Sequence, residues 1–374
     1  MKELDVVIVG AGSAGIGMAF ELKKIEGLKY VVIERDRIGE SFRRWPAQTR
    51  FISPSFNSNP FGMADLNSID SISSPAIFSG SEHPTGAQYA EYLTSVVSAA
   101  NLPVHGGCKV LEVNHHKDHG FHLITEDGEI STDTLIWATG EYQFPNLNPF
   151  PGGNLCTHYA QIEDWKILED DHYTVIGGYE SGLDSAINLI KLGHRVRLLV
   201  RSKTWDLPDV YDPSQALSPY TRDRFREIES NERLEIVFNS NVVKVTKEDD
   251  EYFRVHLADE RHWDVKQPPI LGTGFIKGGG AEQIRDLWEW NKEGNIVLNE
   301  IDESVKTPGL FLVGPHVRHD ALIYCFIYKF RQRFANIATK IALQHELPIG
   351  PAEGSKDGVW GPFGNSECCD GCEC

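Results

Sequence analysis

Two glycine-rich turns, at Gly10 and Gly177, stand 167 residues apart in a chain of 374, and a different residue type answers each. The first reads Asp5-Val-Val-Ile-Val-Gly10-Ala-Gly12-Ser13-Ala-Gly15, and Glu34 follows 19 residues after Gly15. Glycines at this spacing suit a dinucleotide turn. Gly10 permits the tight bend, Gly12 lets the backbone approach a pyrophosphate, and Gly15 lets helix and strand pack closely. The helix that starts after Ser13 turns its amide groups toward phosphate charge. Glu34 can accept ribose hydroxyls and would repel a 2′-phosphate. The second turn reads Tyr173-Thr-Val-Ile-Gly177-Gly-Tyr179-Glu-Ser181-Gly182, and 19 residues after Gly182 the count lands on Arg201, as the counterpart of Glu34. Arg201, with Lys203 beside it, can clamp a 2′-phosphate, which favours NADPH over NADH. Tyr179 stands where the middle glycine belongs, so its side chain either crowds the pyrophosphate or lies over it. An acid in one unit and a base in the other imply two different dinucleotides, and hence a flavoprotein that takes hydride from a nicotinamide. The plainer alternatives are a glycine turn without a ligand, and a second unit that has lost its nucleotide.

The elements that must position these residues are legible around them. Val6–Val9 and Tyr173–Ile176 read as buried parallel strands, followed by helices over about 14–25 and from about Ser181. Residues 134–140 form an apolar strand that runs into the small-residue turn Thr139-Gly140, and 269–275 repeat that pattern. Residues 309–314 are a strand ending in Gly314, and a helix over about 321–344 is expected to aim its amino end at the first turn. The expected fold class is α/β, with two Rossmann-like, doubly wound nucleotide-binding domains, one inserted in the other. The first occupies 1–148 and 269–347, the inserted one 166–268, and 348–374 are a Gly/Pro tether with a cysteine-rich tail. A net charge of −18 argues against nucleic acid or an anionic membrane as partner. No apolar run approaches the roughly 20 residues of a membrane span. The chain enters a strand directly after Met-Lys-Glu-Leu-Asp, leaving no room for a signal peptide, so a cytoplasmic setting with reduced thiols is expected.

With these motifs in place, the chain resembles the two-dinucleotide-binding-domain flavoproteins. That superfamily includes low-molecular-weight thioredoxin reductases, bacillithiol-disulfide reductase-like proteins and flavin-containing monooxygenases. The resemblance spans residues 5 to about 345. It rests on Gly10–Gly15 with Glu34, Ala138-Thr-Gly-Glu-Tyr142, Gly177–Gly182 with Asp184, Leu271-Gly-Thr-Gly-Phe275 and Gly309–Gly314. It implies FAD on the outer domain and NADPH on the inserted one. The branch turns on cysteines. Thioredoxin reductases carry C-x-x-C in the nucleotide domain, whereas no cysteine lies between Cys156 and Cys325 here. Bacillithiol-disulfide reductase-like proteins carry a cysteine in the first glycine loop, where this chain has Ala14. Monooxygenases carry F-x-G-x-x-x-H before the second turn; Phe150, Gly152 and His158 keep its residue types with two residues added. The monooxygenase likeness implies electron transfer from NADPH through FAD to O2, oxidising the sulfur or nitrogen of a small-molecule substrate. Homodimers are common in the resembling families.

Candidate flavin-lining residues are Trp45, Ser55 and Asn57, against the plainer reading of a packed covering loop. In the loop 315–320, His316, Arg318 or His319 can offset negative charge on a reduced flavin, and a histidine can donate a proton. Cys325 either faces the flavin or is a buried structural thiol. Cys368, Cys369, Cys372 and Cys374 crowd the tail, as a disulfide or a site for a soft metal. Their tether of about 19 flexible residues has a typical reach of about 24 Å. The rival enzyme is therefore an NADPH-dependent disulfide or metal reductase that works through the tail. A non-catalytic FAD-binding sensor follows if Tyr179 shuts NADPH out.

Overall fold

The structure, a computed structural model, describes residues 2–56, 64–205, 212–248 and 251–350. Its chain forms two compact units. One is drawn from Met1–Arg43, Ser53–Gln143 and Lys277–Cys374, the other from Arg44–Ile52 and Phe144–Ile276. Among the described residues no helix is long and apolar enough to cross a membrane.

The first unit opens with β1 (Lys2–Val9), α1 (Ser13–Leu22), β2 (Tyr30–Ile33), α2 (Glu40–Arg43), α3 (Pro75–Ser79) and α4 (Gly86–Ala100). Then come β3 (Val104–His105), β4 (Val110–His116), β5 (Gly120–Thr125) and β6 (Gly128–Trp137). Val6, Val7 and Ile8 are fully buried, so β1 is covered on both faces, as an unbroken apolar run requires in a parallel sheet. The strand order is β3-β2-β1-β6-β5-β4, with β1, β2, β3 and β6 parallel and β4 and β5 antiparallel. Val9 pairs with both Ile33 and Trp137, so three strands end side by side. α4 starts with a capping box, Thr85 accepting from the Gln88 amide and Gln88 reaching back to the Thr85 amide.

The second unit holds β7 (Thr157–His158), β8 (His172–Ile176), α5 (Glu180–Lys191), β9 (Arg195–Leu199), α6 (Pro219–Arg226) and β10 (Leu234–Val237). It continues with β11 (Val242–Glu248), β12 (Tyr252–Leu257), β13 (His262–Val265) and β14 (Ile270–Leu271). β10-β9-β8-β14-β7 form a parallel sheet, and β11-β12-β13 an antiparallel one.

The chain then re-enters the first unit with β15 (Glu289–Trp290), β16 (Ile296–Val297), β17 (Leu310–Leu312), β18 (Arg318–His319), β19 (Leu322–Ile323), α7 (Ile327–Phe330) and α8 (Phe334–Gln344). β17 joins the main sheet parallel to β6, pairing Leu312 with Trp137.

The α/β class with parallel, doubly wound sheets is as expected. Two details differ. Residues 269–276 belong to the second unit, because Ile270 and Leu271 pair with β8 and β7, and the longer segment of that unit starts at Phe144. The helix expected over 321–344 is broken: Arg318–Ile323 form a hairpin that turns through Asp320 at φ 51, and α-helix starts only at Ile327. The 331–333 stretch tightens to a 3-10 turn in which Arg331 and Arg333 are drawn inside. Arg331 donates to the carbonyls of Asp65 and Ser68, and Arg333 to the carboxylate of Asp302.

Candidate active site

The first turn follows β1 directly. Gly10 has φ 106, and a Cβ there would lie 2.6 Å from the Ala138 carbonyl oxygen. A Cβ on Gly15 would lie 1.9 Å from the Gly10 oxygen. Both glycines are demanded by the protein itself. Gly12 is different: its φ is −82, and a Cβ would meet nothing within 4 Å. Neither backbone nor packing requires glycine there, so the open space at the helix start fits a ligand that approaches the backbone. Glu34, 7 % exposed, accepts the Ala11 amide at 2.7 Å and the Asp36 amide at 2.9 Å, one on each carboxylate oxygen. Each oxygen keeps acceptor capacity for a ribose hydroxyl. Burial pushes the Glu34 pKa up, against the pull of those two amides.

The second unit repeats this design closely. Gly177 has φ 111, and its Cβ would lie 2.4 Å from the Gly272 oxygen; a Cβ on Gly182 would lie 1.8 Å from the Gly177 oxygen. The small-residue turns after β6 and β14 match too. Gly140 and Gly274 have φ 64 and 82 with open space beside them, and the buried hydroxyls of Thr139 and Thr273 have no partner among the described residues. Tyr179 takes the place of Gly12 at φ −113, an extended conformation open to any residue, with its side chain at a 40 % exposed position. The substitution therefore leaves the turn intact. Trp205, with Phe225 and Phe238 against its ring, donates to the Gly178 carbonyl at 2.5 Å and braces the turn from outside.

The hydrogen bonds correct the count that equated Arg201 with Glu34. The Gly10 amide donates to Ile33, and the Gly177 amide to Leu199. Ile33 therefore matches Leu199, and buried Val200 takes the position of Glu34. Arg201 falls one residue later and Lys203 three later, both exposed. No carboxylate occupies the ribose position here, and the base follows it. Ser181 lies in the first turn of α5, where Glu180 is turned aside to accept from the Ser218 amide and the Thr221 hydroxyl.

The end of β17 supplies the third wall of the first site. A Cβ on Gly314 (φ 105) would come within 3.2 Å of the Ala14 methyl. Two residues on, the His316 imidazole stands 3.6 Å from the Glu141 carboxylate with its side chain 11 % exposed. Its Nε2 is buried with no hydrogen-bond partner among the described residues. Burial, helped by Arg318, lowers the His316 pKa to about 4, while burial raises that of Glu141. Gly279 makes room for the ring: a Cβ there would lie 2.4 Å from His316 Nε2 and from the Gly140 oxygen.

The other candidates sort differently. His319 is tied into a buried group, 2.5 Å from Asp302 Oδ1, with Arg333 on the same carboxylate and Asp302 fully buried. With Arg318 and Asp320 it also lines an open cleft of about 840 Å³ walled by residues 291–301. Cys325 is half-buried just after β19. Trp45 lies in the 44–52 segment, which is held in the second unit by Gln48 on Asp164 and Thr49 on Asp184. Ser55 is buried, accepting from Asn67. Asn57 and the tail cysteines 368, 369, 372 and 374 lie outside the described residues.

Three sets of contacts escaped the sequence reading, although it named Asp184 and His158 as motif positions. Glu141 joins His316 across 175 positions, and no local pattern announces it. Asp184 gathers the Thr49 and Tyr159 hydroxyls and the Arg224 guanidinium at 2.7–2.8 Å. His158 donates through Nε2 to the Gly274 carbonyl at 2.9 Å while its Nδ1 accepts the Ala160 amide, so it fixes the turn after β14.

Comparison with known proteins matches this architecture. The family described as pyridine nucleotide-disulphide oxidoreductase matches residues 7–314. Bacilliredoxin reductase Bdr of Bacillus subtilis (strain 168) is 28 % identical over 349 residues, which cover 91 % of this chain and 98 % of its own. The bacillithiol disulfide reductase Bdr (YpdA) from Staphylococcus aureus superposes with a TM-score of 0.76 at 22 % identity, covering 92 % of this chain and 99 % of its own. A flavin-containing monooxygenase from Stenotrophomonas maltophilia superposes with a TM-score of 0.71 at 16 % identity, covering 92 % and 100 %. At those identities the two solved structures speak for the fold alone.

Proposed function

The chain belongs to the pyridine nucleotide-disulphide oxidoreductase family, as an FAD-dependent oxidoreductase of pyridine nucleotides, and on that premise we propose that it oxidises NADPH and uses O2 to oxygenate a small soft nucleophile at sulfur or nitrogen. In balance, NADPH gives a hydride and the medium a proton. One oxygen atom of O2 enters the substrate and the other leaves as water. FAD, when bound, supplies the two-electron relay between nucleotide and oxygen.

The chain's own residues have separate tasks. Glu34 holds a ribose, and the amides of the Gly10–Gly15 turn face a pyrophosphate. Arg201 and Lys203 hold a 2′-phosphate, without an acid at the Val200 position to oppose it. His316, neutral at ordinary pH, and Glu141 keep a proton site beside the turn after β6. Thr139 and Gly140 line the same turn.

The observation that carries the oxygen branch is Ala14. At the loop position where the resemblance to bacillithiol-disulfide reductase-like proteins implies a thiol, this chain has a buried methyl packed beneath Gly314. The second reading, an NADPH-dependent disulfide reductase, is favoured by the full-length likeness to a protein named bacilliredoxin reductase, and it would draw its thiols from the tail. NADPH oxidation is to be followed with thioethers, amines or disulfides as acceptors, in the full chain and in a chain cut after Gly364. Oxygen uptake matched by substrate oxygenation, unchanged by the cut, supports the proposal. Disulfide reduction that disappears with the cut replaces it with the second reading. Absence of NADPH oxidation sinks both.

A further inference from the structure

The first unit brings together a second set of chemically capable side chains, apart from both glycine turns. β3 ends at His105, the chain turns through Gly106 and Gly107, and Cys108 follows. Asp127 sits in the tight turn between β5 and β6. One ligating atom from each of His105, Cys108 and Asp127 lies within 4.8 Å of the other two. His105 Nε2 is 2.6 Å from Asp127 Oδ2. The Cys108 thiol also bonds to Asp127.

The backbone fixes this grouping. The Glu34 amide donates to the His105 carbonyl, the Cys108 amide to the Glu34 carbonyl and the Gly107 amide to the Asp36 carbonyl, each at 2.9 Å. Gly107 has φ 73, a left-handed conformation that makes the sharp turn between His105 and Cys108. On the other side, the Glu126 amide donates to the Lys109 carbonyl at 3.0 Å, and the Thr125 hydroxyl donates to the Gly128 carbonyl at 2.7 Å. Cys108 is 1 % exposed, while His105 and Asp127 are 52 % and 56 % exposed. The thiol thus forms the floor of a small group that opens to solvent through its imidazole and carboxylate.

We propose that His105, Cys108 and Asp127 bind one zinc-like divalent cation, with water in the fourth position. A thiolate, an imidazole and a carboxylate form the mixed donor set that such a borderline-soft ion accepts, whereas Mg²⁺ and Ca²⁺ prefer oxygen alone. Tetrahedral bonds of about 2.0–2.3 Å put ligand atoms roughly 3.3–3.8 Å apart. Side-chain torsion closes the wider separations to that value and opens the His105–Asp127 contact to it. Binding releases the thiol proton. The ion would clamp the β3 turn to the β5–β6 turn and brace the backbone of Glu34–Asp36. The site uses none of the residues of the proposed reaction and stands whether or not that reaction is correct.

The test uses the full chain with Cys368, Cys369, Cys372 and Cys374 changed to serine, so that tail thiols do not compete. Co²⁺ is titrated in and then displaced with Zn²⁺. The expected result is one Co²⁺ per chain with a thiolate charge-transfer band, removed by Zn²⁺ and not by Mg²⁺ or Ca²⁺. Cys108→Ser abolishes the band. His105→Gln and Asp127→Asn, both at exposed positions that leave the fold intact by circular dichroism, weaken Co²⁺ binding at least about tenfold. The proposal is overturned by absence of the band, by a band that survives Cys108→Ser, or by unchanged affinity in His105→Gln and Asp127→Asn.

Discussion

Replacing His316 with glutamine should flatten the acid limb of the protein's stability. The imidazole is nearly enclosed, and its pKa is lowered from 6.5 to about 4 by burial, with a smaller push from Arg318. In the unfolded chain it titrates at its ordinary value. Between the two values the unfolded chain carries a proton that the native one does not, so stability rises with pH. The contribution is complete above the unfolded value and is lost as pH falls toward the folded one. The loss is about 1.5 kcal/mol by pH 5.5 and about 3 kcal/mol by pH 4. Glu141 works in the opposite direction: its raised pKa means that the native state takes up that proton first, which favours the native state on acidification. Glu141→Gln removes that offset and leaves the His316 slope bare. Urea unfolding from pH 4 to 7 is to be compared for the wild type, both single variants and the double variant. Relative to His316→Gln, the wild type should lose about 3 kcal/mol between pH 7 and pH 4. Parallel profiles would refute the assignment of a buried neutral imidazole.

Gly12→Ala has room for its methyl, so the melting temperature should hold while FAD retention falls about tenfold or more; Gly15→Ala, with its Cβ 1.9 Å from the Gly10 oxygen, should prevent the unit from folding. Melting curves and flavin content distinguish the two, and full flavin content in Gly12→Ala would contradict the ligand argument. Tyr179→Gly should lower the KM for NADPH about 2–10-fold, the cost of ordering one large side chain. An unchanged or higher KM would mean that the ring does not obstruct the nucleotide. Asp184→Asn should destabilise the second unit by about 3 kcal/mol, because it leaves the largely enclosed Arg224 guanidinium without its counter-charge. Calorimetry that shows no such loss would remove Asp184 from the framework of that unit.

The glycine turns were legible because their rule is local. Left-handed or crowded backbone at Gly10, Gly15, Gly177 and Gly182 admits no side chain, and the spacing records that. The flanking strands were legible for the same reason, as short apolar runs covered on both faces. Counting along the sequence failed by one residue at Arg201, since Leu199 lies 17 residues after Gly182 whereas Ile33 lies 18 after Gly15; the pairing of Gly177 with Leu199 and the strand register show it. The region after β17 was misread because its apolar residues suit a helix, while the hairpin and the 3-10 turn are imposed by distant partners. Arg333 reaches Asp302, and Arg331 reaches carbonyls more than 260 residues away. Glu141 with His316, and Asp184 with Thr49, are likewise products of the fold that leave no mark on either stretch of sequence.

Anaerobic mixing of the FAD-loaded chain with NADPH or NADH, followed at the visible flavin band, tests the central claim most directly. The account predicts bleaching by NADPH at concentrations about tenfold below those needed with NADH, and Arg201→Ala should abolish that preference while leaving NADH unchanged. No bleaching by either nucleotide, or equal use of both by the wild type, would contradict it.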